Sequence, residues 1–243
     1  ILRGKVVPNT VTKTLHTDKV YEPDLNSFTI EPFPYYSPLK SQIETIKSFD
    51  RPVILVDDLV HTANRLQVLV PQLREDGIPI KKVVVGVLSG YGRDLMQCLK
   101  VPVESIYSMP NLRQWFVEST LYPFIGGDTV RREEMKVAGL QPSINMILPY
   151  ATPRLSGCSR EALVEFSACC IENSRDLFQV LEAEYRKMYA KNLTLSRLSE
   201  AVILPLCPDK GSCMEYDENL AASVYLENDL ETLWRMKEFL IKG

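Results

Sequence analysis

Histidine is nearly absent from this chain, with two among 243 residues, His16 and His61. The six cysteines, Cys98, Cys158, Cys169, Cys170, Cys207 and Cys213, show no C-x-x-C spacing. With only two histidines, and with Cys207 and Cys213 separated by five residues, a zinc site is not indicated. Reduced thiols in a cytoplasmic protein are the expectation. Neither charge dominates: 28 Lys and Arg stand against 31 Asp and Glu, a net of −3. The basic field that recruits nucleic acid is missing, so no such partner is expected. No apolar run approaches the roughly 20 residues that span a bilayer, so no membrane partner is expected either. No signal peptide and no internal repeat is visible. The chain opens on Ile1 rather than Met, and further residues are expected upstream.

What is present is an alternation of strand and helix patterns. VILV, Val53 to Val56, reads as a strand buried on both faces that stops at Asp57 and Asp58. Leu66, Leu69, Val70 and Leu73 then recur at helical spacing, with Pro71 among them as a source of kinking or shortening. Lys81 to Gly90 is a β-branched run, Tyr91 to Lys100 a short helix, and Val101 to Met109 a third strand. This order predicts right-handed βαβ units and a parallel sheet.

The flanks read differently. Residues 8–17 suggest a helix opening at Pro8. Tyr21 to Lys40, rich in proline and aromatics, suggests an extended excursion or hairpin. Leu112, Trp115, Phe116 and Leu121 fit one face of a helix, where an aromatic pair belongs to a core more often than to a base-stacking site. Ser143 to Tyr150 reads as one more strand. Ser159 to Lys191 is a long helix with a stripe of Leu163, Phe166, Cys170, Leu177, Leu181, Tyr185 and Met188. A last helix is expected near the C-terminus, capped by Asn228 or Asp229. These patterns divide the chain into an α/β part over residues 1–150 and a mostly helical part over 151–243.

Carboxylates at the carboxyl end of a parallel strand sit where α/β sheets bind ligands. Asp57 and Asp58 are suited to a sugar diol, since each oxygen accepts a hydrogen bond from a hydroxyl. The turn after them leads into a helix N-terminus, where free N–H groups and the dipole favour phosphate. The plainer alternative is a solvated strand end with Asn64 capping the helix. LSGYGRDL, Leu88 to Leu95, offers a second strand–turn–helix junction, but lacks the third glycine of a dinucleotide fingerprint and reads best as an ordinary βα turn.

VILVDDLVHTANRL resembles the ribose-phosphate motif of type I phosphoribosyltransferases: an apolar strand, two acidic residues, and a loop usually reading Thr-Gly-x-Thr. ILRGK at the start is similar to that family's pyrophosphate loop. The resemblance covers roughly residues 1 to 110. It implies a parallel-sheet type I phosphoribosyltransferase-like core followed by the helical part. It further implies that Asp57 and Asp58 bind the ribose hydroxyls and help stabilise charge at the anomeric carbon. His61, Thr62, Ala63, Asn64 and Arg65 would wrap the 5′-phosphate, and Arg3, Gly4 and Lys5 the pyrophosphate. Mg²⁺ would arrive on the ligand and meet Asp57 and Asp58 only through it. Ser89, Gly90, Tyr91 and Arg93 lie where an acceptor pocket would be lined.

The departures are Ala63 for the family's glycine, Arg65 for its second threonine, and Lys5 for a second glycine. A methyl group at Ala63 opposes positive φ and close approach of the backbone to phosphate. Three readings follow. The first is an enzyme that binds phosphoribosyl pyrophosphate with Mg²⁺ and transfers the 5-phosphoribosyl group to a nitrogenous acceptor. The second is a non-catalytic sensor of phosphoribosyl pyrophosphate or a nucleotide on the same fold. The third, weaker, is an interaction module with a vestigial pocket. A small phosphoribosyl ligand is the expected partner, and assembly into homo-oligomers is open.

Overall fold

The computed structural model describes residues 12–33, 36–131, 141–153, 155, 157–198, 201–208 and 216–242. The chain is α/β, with a parallel three-stranded sheet, a mixed five-stranded sheet and helices. It divides into two compact units, Ile1–Lys19 with Ile30–Trp115, and Val20–Thr29 with Phe116–Gly243. Residues 116–150 thus group with the helical part.

In the first unit, helix α1 (Leu39–Lys47) precedes strand β3 (Val53–Val60), helix α2 (Asn64–Glu75), strand β4 (Ile80–Ser89), helix α3 (Gly90–Cys98) and strand β5 (Val103–Met109); strands β1 (Thr17–Tyr21) and β2 (Phe28–Pro32) come earlier in the chain. The sheet order is β3-β4-β5 and both pairings are parallel, as the alternation predicts. Helix α2 buries Leu66, Leu69, Val70 and Leu73, the four residues at helical spacing. It continues through Pro71 to Glu75 rather than stopping at the proline. Gly77, at φ 73°, closes it: Gly77 N donates to Arg74 O at 3.0 Å and Ile78 N to Leu73 O at 2.9 Å. This is a Schellman ending, and Ile78 and Leu73 share one apolar cluster.

Strand β3 departs from expectation in two ways. It runs on past the carboxylates to Val60, so Asp57 and Asp58 lie within it. It is also covered on one side only, with Ile54 48 % and Val56 54 % exposed. The physical reason is the order of the strands. Successive right-handed crossovers between adjacent strands put both helices on the same side. Leu66 and Val70 of α2 and Met96 of α3 accordingly pack in one cluster with Val83 and Val85. Ile54, Val56 and Ile106 fall on the other side.

Residues 12–16 are not helical, and β1 begins at Thr17; the remainder of the helix expected from Pro8 lies outside the described residues. The Tyr21 to Lys40 excursion contains β2, a neighbour of β1, and the start of α1.

In the second unit the mixed sheet has the order β2-β1-β6-β7-β8, with β6 at Asp128–Val130, β7 at Gln141–Ile144 and β8 at Ile203–Pro205. The strand expected over 143–150 ends at Ile144 and continues as turns. The helix expected around Leu112 to Leu121 is absent; only a 3₁₀ turn forms, at Glu118–Thr120. Trp115 and Phe116 are exposed rather than core, because no helix turns them inward.

Helix α4 (Arg160–Tyr189) is capped by Ser159, whose Oγ accepts from Ala162 N at 3.1 Å. Its buried face is Val164, Ser167, Ala168, Cys170, Ile171, Ser174 and Phe178. Of the expected stripe, Cys170 is buried and Leu163 and Phe166 pack against the core, whereas Leu177, Leu181 and Met188 are exposed; the face turned to helix α6 (Ala222–Lys242) runs through Ile171, Ser174 and Phe178 instead. Asn228 and Asp229 do not cap α6 but lie inside it, and Asp229 is buried with Tyr150 Oη donating to its Oδ2.

Candidate functional site

The junction between β3 and α2 carries half of the sequence-predicted residues, Asp57, Asp58 and His61 to Arg65. Strand alternation sends Asp57 and Asp58 to opposite faces of the sheet. Asp57 shares its side with Val53, Leu55 and Leu59, and its side chain is only 11 % exposed. Asp58 shares the open side with Ile54 and Val56. The two carboxylates therefore do not form one cluster. Arg65 Nη1 lies 4.0 Å from Asp57 Oδ1, an ion pair across the junction. Each carboxylate also receives a main-chain N–H: Asp58 N donates to Asp57 Oδ1 at 3.1 Å and Leu59 N to Asp58 Oδ1 at 2.7 Å.

The loop between them reaches α2 through Ala63, which takes the left-handed conformation at φ 50°, ψ 20°. This is where the resembling motif carries glycine, and the alanine adopts the conformation its methyl group disfavours, at a cost of about 1–2 kcal/mol. Ala63 is also buried in the cluster beneath α2, and packing holds it there. Ala63, not Asn64, is the N-cap of α2, and no side chain caps that end. Asn64 turns back, its Nδ2 donating to Thr62 Oγ1 at 3.0 Å. Gln67 Nε2 donates to Thr62 O at 2.9 Å and braces the loop. The result is a strained turn, an uncapped helix N-terminus with no acidic residue in its first turn, and a guanidinium whose Nε is buried without a hydrogen-bond partner. Free N–H groups at a helix start together with an adjacent cation can hold an anion.

The second junction, after β4, supports the first. Ser89 is buried and caps α3, its Oγ accepting from Gly92 N at 2.9 Å. His61 Nδ1 lies 2.8 Å from the same Oγ. The Tyr91 ring meets His61 edge-on at 6.0 Å between centroids, and is itself exposed. Gly92 allows this contact, since a Cβ there would stand 2.2 Å from Val60 O. Arg93 donates to Ser108 Oγ at 2.6 Å, across to β5. Ser89 and Gly92 thus serve the packing of the two loops, while Tyr91 and Arg93 line the outer rim.

Arg3, Gly4 and Lys5 lie outside the described residues. The sequence reading missed the bracing role of Gln67 and the pairing of His61 with Ser89. Gln67 stands one turn into a recognised helix, so its reach back to Thr62 had a local signal; the His61–Ser89 contact spans 28 residues and had none.

Among the described residues no three His, Cys, Asp or Glu side chains come together as a metal site. No helix among the described residues is long and apolar enough to cross a membrane. Compared with protein-family models, curated proteins and solved structures, the chain matches none.

Proposed function

We propose that the β3–α2 junction binds a 5-phosphoribosyl ligand, phosphoribosyl pyrophosphate carrying Mg²⁺, and that the first unit is a phosphoribosyltransferase-like domain. The observation that carries this reading is Ala63, held at positive φ where the resembling motif has glycine, beside an uncapped α2 and a buried, unpartnered Arg65 Nε. Strain of this kind persists where the surroundings impose it and clusters at binding sites.

In this reading the N–H groups at the start of α2, the Thr62 hydroxyl and Arg65 hold the 5′-phosphate. Asp58, on the open side, accepts hydrogen bonds from the ribose hydroxyls, while Asp57 orients Arg65. Mg²⁺ carried on the ligand would supply charge neutralisation at its pyrophosphate. Transfer would form a bond from an acceptor nitrogen to the anomeric carbon as the carbon–oxygen bond to pyrophosphate breaks. Pyrophosphate leaves with that electron pair and the acceptor's proton passes to solvent. Positioning and charge stabilisation supply the catalysis.

A second reading keeps the ligand and drops the transfer. The Arg65–Asp57 ion pair favours it, because a carboxylate engaged by a guanidinium is less able to stabilise positive charge at the sugar. Calorimetry with phosphoribosyl pyrophosphate and Mg²⁺ tests both. Binding that Asp58→Asn and Arg65→Ala weaken supports the site, and no heat with the wild-type chain overturns it. Pyrophosphate release on adding nitrogenous bases or amines marks the enzyme; binding without release for any acceptor marks the sensor.

A further inference from the structure

The second unit carries a cleft of its own, at the end of α4. Its volume is about 520 Å³, within the few hundred to a thousand Å³ of small-molecule sites. Three cations line it, Arg186, Lys191 and Arg197, together with the polar side chains of Asn192, Thr194 and Ser196. Among the described residues no carboxylate lines it. In a chain whose net charge is −3, that concentration of one sign runs against the average.

The cleft is built rather than incidental. Leu193 and Leu195 are buried and anchor the connection between α4 and helix α5 (Leu195–Leu198). Two main-chain hydrogen bonds, Leu195 N to Leu220 O at 2.9 Å and Ser196 N to Glu218 O at 3.0 Å, pin the facing loop as its other wall. Three described carboxylates near it are engaged by other groups, Asp217 by the lining residue Asn219. Glu184 pairs with Lys187 at 3.4 Å, Glu182 accepts from Ser223 N at 3.1 Å and Ser223 Oγ at 2.6 Å, and Asp217 Oδ1 accepts from Asn219 N at 2.9 Å. Complementing the C-terminal dipole of α4 accounts for Arg186. It does not account for Arg197, which comes from α5.

We propose that this cleft is a second anion site, independent of the β3–α2 junction, for a small hydrophilic metabolite with two or more phosphate charges. Arg186, Lys191 and Arg197 hold the phosphates. Thr194, Ser196 and Asn192 take the hydroxyls of the organic part. Three like charges held together repel one another, and a multiply charged anion relieves that repulsion.

The test is calorimetry of the full chain with inorganic pyrophosphate in the absence of Mg²⁺. Arg197→Ala and Lys191→Ala should each weaken this binding about ten- to a hundredfold, the scale of one charge-assisted hydrogen bond. Arg197→Lys, which keeps the charge, should retain most of it and guards against misfolding of the alanine variant. Lys187→Ala should leave it unchanged. Binding that survives Arg186→Ala with Arg197→Ala overturns the proposal. So does an equal loss in Lys187→Ala, which would mean diffuse charge. Loss in Arg65→Ala alone would place the anion at the other junction and also overturns it, as does a single-stranded oligonucleotide that binds more tightly than pyrophosphate through these residues.

Discussion

His61 Nδ1 and Ser89 Oγ stand 2.8 Å apart, and that contact ties the loop after β3 to the first turn of α3. The same Oγ accepts from Gly92 N, so one buried hydroxyl serves both as helix cap and as anchor for the candidate phosphate loop. Ser89→Ala removes both roles. A destabilisation of about 1–2 kcal/mol is expected, the range for loss of a cap, and denaturant unfolding measures it. Loosening of the 61–65 loop should accompany it, read as faster amide exchange at residues 61–65 than in wild type.

Ala63 provides a sharper measure of backbone strain. Ala63→Gly relieves the positive φ but removes a buried methyl, two effects of about 1 kcal/mol each and opposite sign, so stability should change little. Ala63→Val keeps the strain and adds β-branching, and should destabilise by about 1–3 kcal/mol. Thermal unfolding of the pair distinguishes this from an ordinary helical position, where glycine would be the worse substitution.

Arg65→Ala should weaken phosphoribosyl pyrophosphate binding by about 1.5–3 kcal/mol if the guanidinium meets the phosphate. An unchanged dissociation constant would show that Arg65 serves only its ion pair with Asp57.

The buried tyrosines of the second unit set an alkaline limit. Burial pushes the Tyr150 phenol well above its ordinary value, and nearby Asp229 adds to the shift. Tyr216 is raised in the same way, first by burial and then by Asp229. A raised folded value favours the neutral phenol, so this stability is present below about pH 10 and is lost as pH rises beyond it. Alkaline unfolding followed by phenolate absorbance should show these tyrosines ionising with the loss of structure. Tyr150→Phe should cost about 1–3 kcal/mol at neutral pH by removing the Asp229 partner, and should flatten the alkaline slope.

Cysteine reactivity should divide along α4. Burial pushes the Cys170 thiol up to about 11, whereas its neighbour Cys169 is exposed. Alkylation near pH 8 followed by mass spectrometry should label Cys98, Cys158 and Cys169 and spare Cys170. Labelling of Cys170 at a similar rate would mean that α4 opens locally.

The sequence by itself determined what is local. Apolar spacing chose the face of α2, Gly77 its ending, and β-branched runs the strands of the parallel sheet, because these depend on periodicity and on the φ each residue tolerates. Tertiary structure alone decided the rest. Both crossover helices fall on one side of β3-β4-β5, so a strand that reads as apolar throughout is covered on one face, with Asp57 on the covered side and Asp58 on the open one. Packing on α6 buries Ile171, Ser174 and Phe178 of α4 in place of Leu177, Leu181 and Met188 from the stripe its sequence suggests, and it turns Asp229 from an expected cap into a buried partner of Tyr150. The core beneath α2 holds Ala63 in a conformation that its own side chain opposes. Such choices rest on contacts between residues far apart in the chain, and no local pattern encodes them.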